Sequence, residues 1–266
     1  MSLYLLELFT SRVAKVGMTD GIRQVLQEES DALRAYYEQA GILIARPAGG
    51  TSCRLAISAK GGTNAENHNH NDVGSYAVAL GSETMVGDQG GPNSYPGDYF
   101  NGDAPQKYKI KGSFGHPVPV VDGRTQSSGG KAKGVVLQKE FTNEKDVFSI
   151  NYTSAYSTPN LDKLIRTFVY DRQGKGSFTV GDEFTAKTPI RFETAITTRA
   201  DWKILDDTHL LLATDSEQMI VAIEASGKVA FTSETIEVNS PAYTRIGIAL
   251  KNQSKEGYIR LKMYTK

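Results

Sequence analysis

From Gly41 to the C-terminus the chain is cut by glycine and turn residues into short runs rich in branched and aromatic side chains. "ILIARPAGG" is followed by "TSCRLAISAKGG" and then by "VGSYAVALGSETMVGD". Runs of this length and composition are strand-forming, because branched side chains pack well on a pleated surface and glycine ends each segment. The imperfect polar–apolar alternation of "SCRLAIS" fits a strand with one wet face. Strand-like segments resume at "KGVVLQKEFTNEKDVFSINYTSAY", with a turn near Thr142 to Asp146, and continue to "EGYIRLKMY". "DRQGKG" and "DSEQ" read as hairpin connections. The pattern predicts an all-β fold, one large antiparallel β-sandwich of a dozen or more strands. No repeat of fixed period suggests a propeller or solenoid.

Ahead of Gly41 the texture differs. Leu3 to Thr10 suits one or two helical turns, and Ile22, Val25 and Leu26 carry helical spacing up to about Leu33. A short helical N-terminal segment is therefore expected. The chain is long enough for a sizeable core, with 266 residues and 39% hydrophobic content. Thirty basic residues balance thirty acidic ones, which gives no basis for a nucleic-acid partner. No apolar run approaches the ~20 residues of a membrane span, and no signal peptide is visible. The single cysteine, Cys53, excludes an internal disulfide and reads as a buried residue.

Chemistry concentrates in "ENHNHND", Glu66 to Asp72, which holds two of the four histidines. If this segment is extended, residues two apart share a face, and the His68 and His70 imidazoles project the same way. Asp88 ends the next apolar run in "MVGDQGG", and His116 follows in "SFGHPVP". A hairpin through "SYAVAL" and "TMVGD" would return Asp88 beside His70. Two histidines and a carboxylate suit one Zn²⁺. The alternative is local: Asp72, Asn67, Asn69 and Asn71 bond backbone amides, or the asparagines contact sugar hydroxyls. The long loop from Pro92 to Ser128 supplies Tyr95 and Tyr99, either of which suits proton transfer, ring stacking or simple packing. Arg124, Lys107, Lys109 and Lys111 are candidate anion contacts. His209 and Trp202 read as structural. No nucleophile elbow, Walker A loop or dinucleotide fingerprint occurs, and "GKGS" at 174–177 reads as a turn.

The segments "YYEQAGILIAR", "AISAKGGTNAENHNHNDVGSYAVALGSETMVGDQGG" and "GHPVPVVDG" resemble the C-terminal β-sandwich domain of the heparinase II/III-like polysaccharide lyases. The resemblance implies a super-sandwich over residues 36–266, with residues 1–35 a remnant of a linker or helical toroid. It implies β-elimination on uronic-acid-containing polysaccharides. His68 is then the cleft histidine and Tyr99 the cleft tyrosine, with Tyr95 its competitor. On the resemblance His70, Asp88 and His116 hold a structural Zn²⁺; the residues themselves add Asn67, Asn69 and Tyr95 as expected substrate contacts. The resemblance also implies an acidic polysaccharide or oligosaccharide partner, a periplasmic or secreted location, and an N-terminal (α/α) toroid in cis that carries further catalytic residues. A toroid needs several hundred residues of amphipathic helix, and at most forty of this chain could serve, so the chain alone is expected to have little or no lyase activity. The rival readings are a non-catalytic carbohydrate-binding or interaction module and, more remotely, a metal hydrolase.

Overall fold

The computed structural model describes residues 32–66, 68–88, 91–238 and 240–266. The helical turns expected between Leu3 and about Leu33 lie outside the described residues except at 32 and 33, which form a bend rather than helix. Within the described residues the chain forms nineteen strands, one four-residue helix (α1, Ala104–Lys107) and two single 3-10 turns, at Ser113–Gly115 and Thr153–Ala155. Every strand pairing is antiparallel, and the all-β sandwich read from the sequence is what forms.

One layer is an eight-stranded sheet. Its centre is β10 (Lys145–Asn151), β11 (Leu161–Asp171), β12 (Ser177–Ile190), β19 (Ser254–Thr265) and β16 (Gln218–Ala225); β9 (Val135–Phe141) and β14 (Asp201–Asp206) are its edges. The 142–146 turn joins β9 to β10, and 174–177 closes the β11–β12 hairpin, both as the turn residues predict. The facing layer contains a five-stranded sheet, with β2 (Ile42–Ala45), β3 (Leu55–Lys60), β5 (Tyr76–Leu80) and β6 (Glu83–Val86), and a four-stranded sheet that includes β13 (Phe192–Thr198). The two are stitched where Gly87 N–H donates to the Thr197 carbonyl and the Thr198 hydroxyl to the Met85 carbonyl.

The core lies between the layers. Leu55, Ile57, Tyr76 and Val78 on one side meet Phe148, Phe168, Phe178 and Leu261 on the other, all essentially without solvent exposure. Leu43, Leu55 and Val78 sit in strands buried on both faces, which is why "ILIA" and "YAVAL" read as continuous apolar runs. Cys53 is buried, as expected, in the loop leading into β3.

Two charged residues stand at core positions. Along β11 the inward series is Leu164, Arg166, Phe168 and Tyr170; along β12 it is Phe178, Val180, Asp182 and Phe184. Arg166 and Asp182 are direct cross-strand partners. The guanidinium grips the carboxylate with Nε at 2.7 Å from Oδ1 and Nη2 at 2.6 Å from Oδ2. Nη2 also meets Thr194 Oγ1, and Nη1 donates to the carbonyls of Gly74 (2.7 Å) and Pro117 (2.8 Å). All five N–H groups of a guanidinium are thereby satisfied. The two carbonyls belong to the chain just after Asp72 and just after His116. A pair in the core thus fixes the spacing of two loops at the rim.

Candidate metal and sugar site

The loop 61–75 joins β3 to β5 and runs across the end of the sandwich. It is anchored from below. Asn71 N–H donates to the Lys111 carbonyl, Asp72 N–H to Asn64 Oδ1, and Val73 N–H to Gln126 Oε1. These bonds replace the ladder that a strand would have. The backbone is therefore not extended here: His68 sits at φ +57°, in the left-handed region. That corrects the expectation that residues 68 and 70 share a face. The two imidazoles part company instead.

His68 is exposed and packs edge-on against Phe100, with ring centroids 4.7 Å apart. It lines a pocket of about 310 Å³ together with Glu66, Asn69, Asn71, Phe100 and Lys111. Asn69 and Asn71 each keep a side-chain oxygen without a hydrogen-bond partner among the described residues. Asn67 lies outside the described residues. Tyr95 is the exposed tyrosine of the long loop, at 56%, with its ring 5.1 Å from that of Phe100.

His70 turns inward. Its ring lies 5.2 Å from that of His116, and its Nε2 is 3.1 Å from the Tyr99 hydroxyl. Tyr99 is buried under the loop rather than exposed beside Tyr95. Burial, reinforced by the His116 ring, holds the His70 pKa down at about 4. Asp88 follows β6 and returns beside the loop, as the hairpin expectation required. Its Oδ2 accepts from Ser75 Oγ at 2.7 Å and lies 2.9 Å from His116 Nδ1. Burial works against charge on both members of this pair. The mutual attraction wins, holding the Asp88 carboxyl well below the usual range and the His116 ring above its own. His116 Nε2, fully buried, has no hydrogen-bond partner among the described residues.

Asp72 completes the inner cluster. Ligand-type atoms of Asp72, Asp88 and His116 all lie within 4.8 Å of one another. Asp72 is also the partner of Lys60, whose ammonium is 2.6 Å from Oδ1 with both side chains buried. Its role is an ion pair, where the sequence offered only a local backbone bond. The mixed nitrogen and oxygen donors of Asp72, Asp88 and His116 and their closeness could hold a metal ion.

Sequence reading missed Lys60, Phe100 and the Arg166–Asp182 anchor. Lys60 ends the apolar run "LAISAK", and a lysine there is a signal in hindsight. His209 pairs with Asp206 on an exposed hairpin and Trp202 packs against the core, so both are structural as expected. Among the four candidate cations, Lys107 pairs with Asp98 and Lys109 with Glu234, Arg124 is exposed, and only Lys111 lines the pocket.

No family model matches the chain, and no curated protein does. Solved structures do. A heparinase III crystal structure superposes with TM-score 0.68 at 17% identity, over 87% of this chain and 36% of that one. The heparan sulfate lyase HepC from Pedobacter heparinus gives 0.72 at 14% identity, over 99% and 42%. The heparinase III BT4657 gene product gives 0.70 at 12%, over 99% and 42%. The chain has the fold of the β-sandwich portion of these enzymes and spans about two fifths of their length. No helix among the described residues is long and apolar enough to cross a membrane.

Proposed function

We propose that the chain is the β-sandwich portion, residues 36–266, of a polysaccharide lyase that cleaves uronic-acid-containing polymers by β-elimination. The observation that carries this reading is the split between two histidines one residue apart. His68 is exposed on a polar pocket, whereas His70 is half-buried and turned inward beside His116, which holds Asp88. The shared fold with heparinase III structures adds to it.

In such a reaction a base removes the proton at C5 of the uronate, the C4–O4 bond breaks, and an acid meets the leaving oxygen. His68 is the group of this chain positioned to contact the reacting sugar, as base or as a donor to its carboxylate. Tyr99 acts through His70: its hydroxyl is held on the ring nitrogen, and burial raises its pKa, so it stays protonated. Asn69 and Tyr95 contact neighbouring hydroxyls and ring faces. His70, Asp88 and His116 would hold Zn²⁺, with Asp72 as the competing ligand. A bound ion there supplies architecture, tying the histidine loop to the end of β6. The remaining acid–base groups come from a helical toroid in cis on a longer, exported protein, so the chain alone turns over little or nothing.

A second reading, a carbohydrate-binding module without chemistry, draws on the exposed Tyr95 and Phe100 beside an amide-lined pocket, and on Tyr99 being engaged with His70. Ultraviolet absorbance from an unsaturated uronate product separates the two. Assays pair uronate polymers with this chain and with a version carrying the sequence encoded ahead of it. Eliminative product from the longer protein, lost in His68→Ala, supports the lyase. Saturable binding with no product from either supports the module.

A further inference from the structure

Lys111 is the unexplained charge at this site. The residue is 6% exposed, lines the pocket beside His68 and Phe100, and forms no ion pair with a carboxylate among the described residues. Its ammonium donates to the Tyr99 carbonyl and stands over the rings of Tyr99 and Phe100, at 4.8 and 5.0 Å from their centroids. An ammonium has three donors; one carbonyl and two ring faces leave it short of an anion. A buried cation without a counterion is costly, and burial accordingly lowers its pKa. The neighbouring lysines differ. Lys107 and Lys109 are exposed and each is neutralised, by Asp98 and Glu234. The other charge on the pocket rim, Glu66, lies with its carboxylate over Gly62. Lys111 is also tied to the histidine loop through Asn71 N–H on its own carbonyl, at 2.9 Å. Its position relative to His68 is therefore set.

We propose that Lys111 is the specificity-determining cation of this pocket, receiving the carboxylate of an acidic sugar that packs across Phe100 and reaches His68. The inference rests on reading the pocket as a sugar-binding groove. It does not require that the chain catalyse elimination.

The test is a binding cycle by calorimetry on the full chain. Its ligands are a glucuronate-containing tetrasaccharide and the same tetrasaccharide with its carboxyl groups reduced to alcohols. The native chain is expected to prefer the acid by about tenfold or more, the range for a hydrogen bond to a charged group. Lys111→Gln, which keeps a donor for the Tyr99 carbonyl, is expected to lose most of that preference, and Lys111→Arg to keep much of it. A lysine that merely braced the loop would weaken both ligands alike, so a preference that survives in Lys111→Gln overturns the proposal. Failure of the native chain to bind either sugar overturns it too. Acid preference that depends on Lys111, with no eliminative product from the longer protein, would retain this inference while removing the lyase reading. Elimination with no such preference would do the reverse.

Discussion

Replacing Arg166 with methionine tests whether the core really sets the geometry of the rim. The substitution keeps an unbranched apolar side chain but removes every donor from a residue that is fully buried. Asp182, 1% exposed, would keep Tyr152 and Thr194 as donors and lose its counter-charge. Breaking a buried pair from one side costs roughly 3–5 kcal/mol. The carbonyls of Gly74 and Pro117 lose donors as well, at about 1 kcal/mol or more each where no water replaces them. These terms overlap, so a loss of about 5 kcal/mol is the working figure, against a total of roughly 5–15 kcal/mol for a domain. In urea this is a drop of about 2 M in midpoint, for a slope near 2–3 kcal/mol/M. The double variant Arg166→Met, Asp182→Asn removes the orphaned charge and should recover part of the loss. Equilibrium unfolding by fluorescence and by circular dichroism measures both. A single variant within about 1 kcal/mol of the native chain, or a double variant no better than the single, would refute the argument that this pair anchors the two loops.

Two further outcomes follow from the same structure. In the presence of a chelator, His70 should titrate near pH 4 by NMR, since burial and then His116 depress it. Its folded value lies below its unfolded value, so its contribution is complete above about pH 6.5 and is lost as pH falls from there towards 4, by up to about 3 kcal/mol. Stability that does not fall over that window in native chain relative to His70→Asn would contradict the assignment. At Gly115 an added Cβ would lie 2.3 Å from the Lys109 carbonyl oxygen and 2.8 Å from its carbon, whereas at Gly49 it would meet nothing within 4 Å. Gly115→Ala is expected to lose about 1–3 kcal/mol, read as a fall of several degrees in melting temperature, with Gly49→Ala near neutral; equal behaviour would argue against a tight 109–116 loop.

The sandwich was legible because its signal is local. Each run such as "YAVAL" or "KDVFSIN" carries its own strand preference, and glycines mark many of the breaks. The inner cluster was partly legible: Asp88 and His116 sit in a short hairpin and a loop whose return path the turns suggest, whereas Asp72 rather than His70 supplies the third closely grouped ligand atom. What was not legible depends on tertiary bonds. His68 is left-handed because Asn71, Asp72 and Val73 are tied to Lys111, Asn64 and Gln126, and no local preference encodes those partners. Asp72 gave no sign of Lys60. Arg166 and Asp182 hide within strand alternation, where a polar residue normally signals the wet face.

The central claim is a division of labour: one histidine meets sugar, and its neighbour but one serves the buried cluster. Imidazole NMR resonances, assigned by His→Gln variants and followed during titration with a uronate tetrasaccharide, test it directly. Saturable movement of the His68 signals, with His70 and His116 unmoved, is the predicted result. Movement confined to His70 and His116, with His68 silent, would contradict the account.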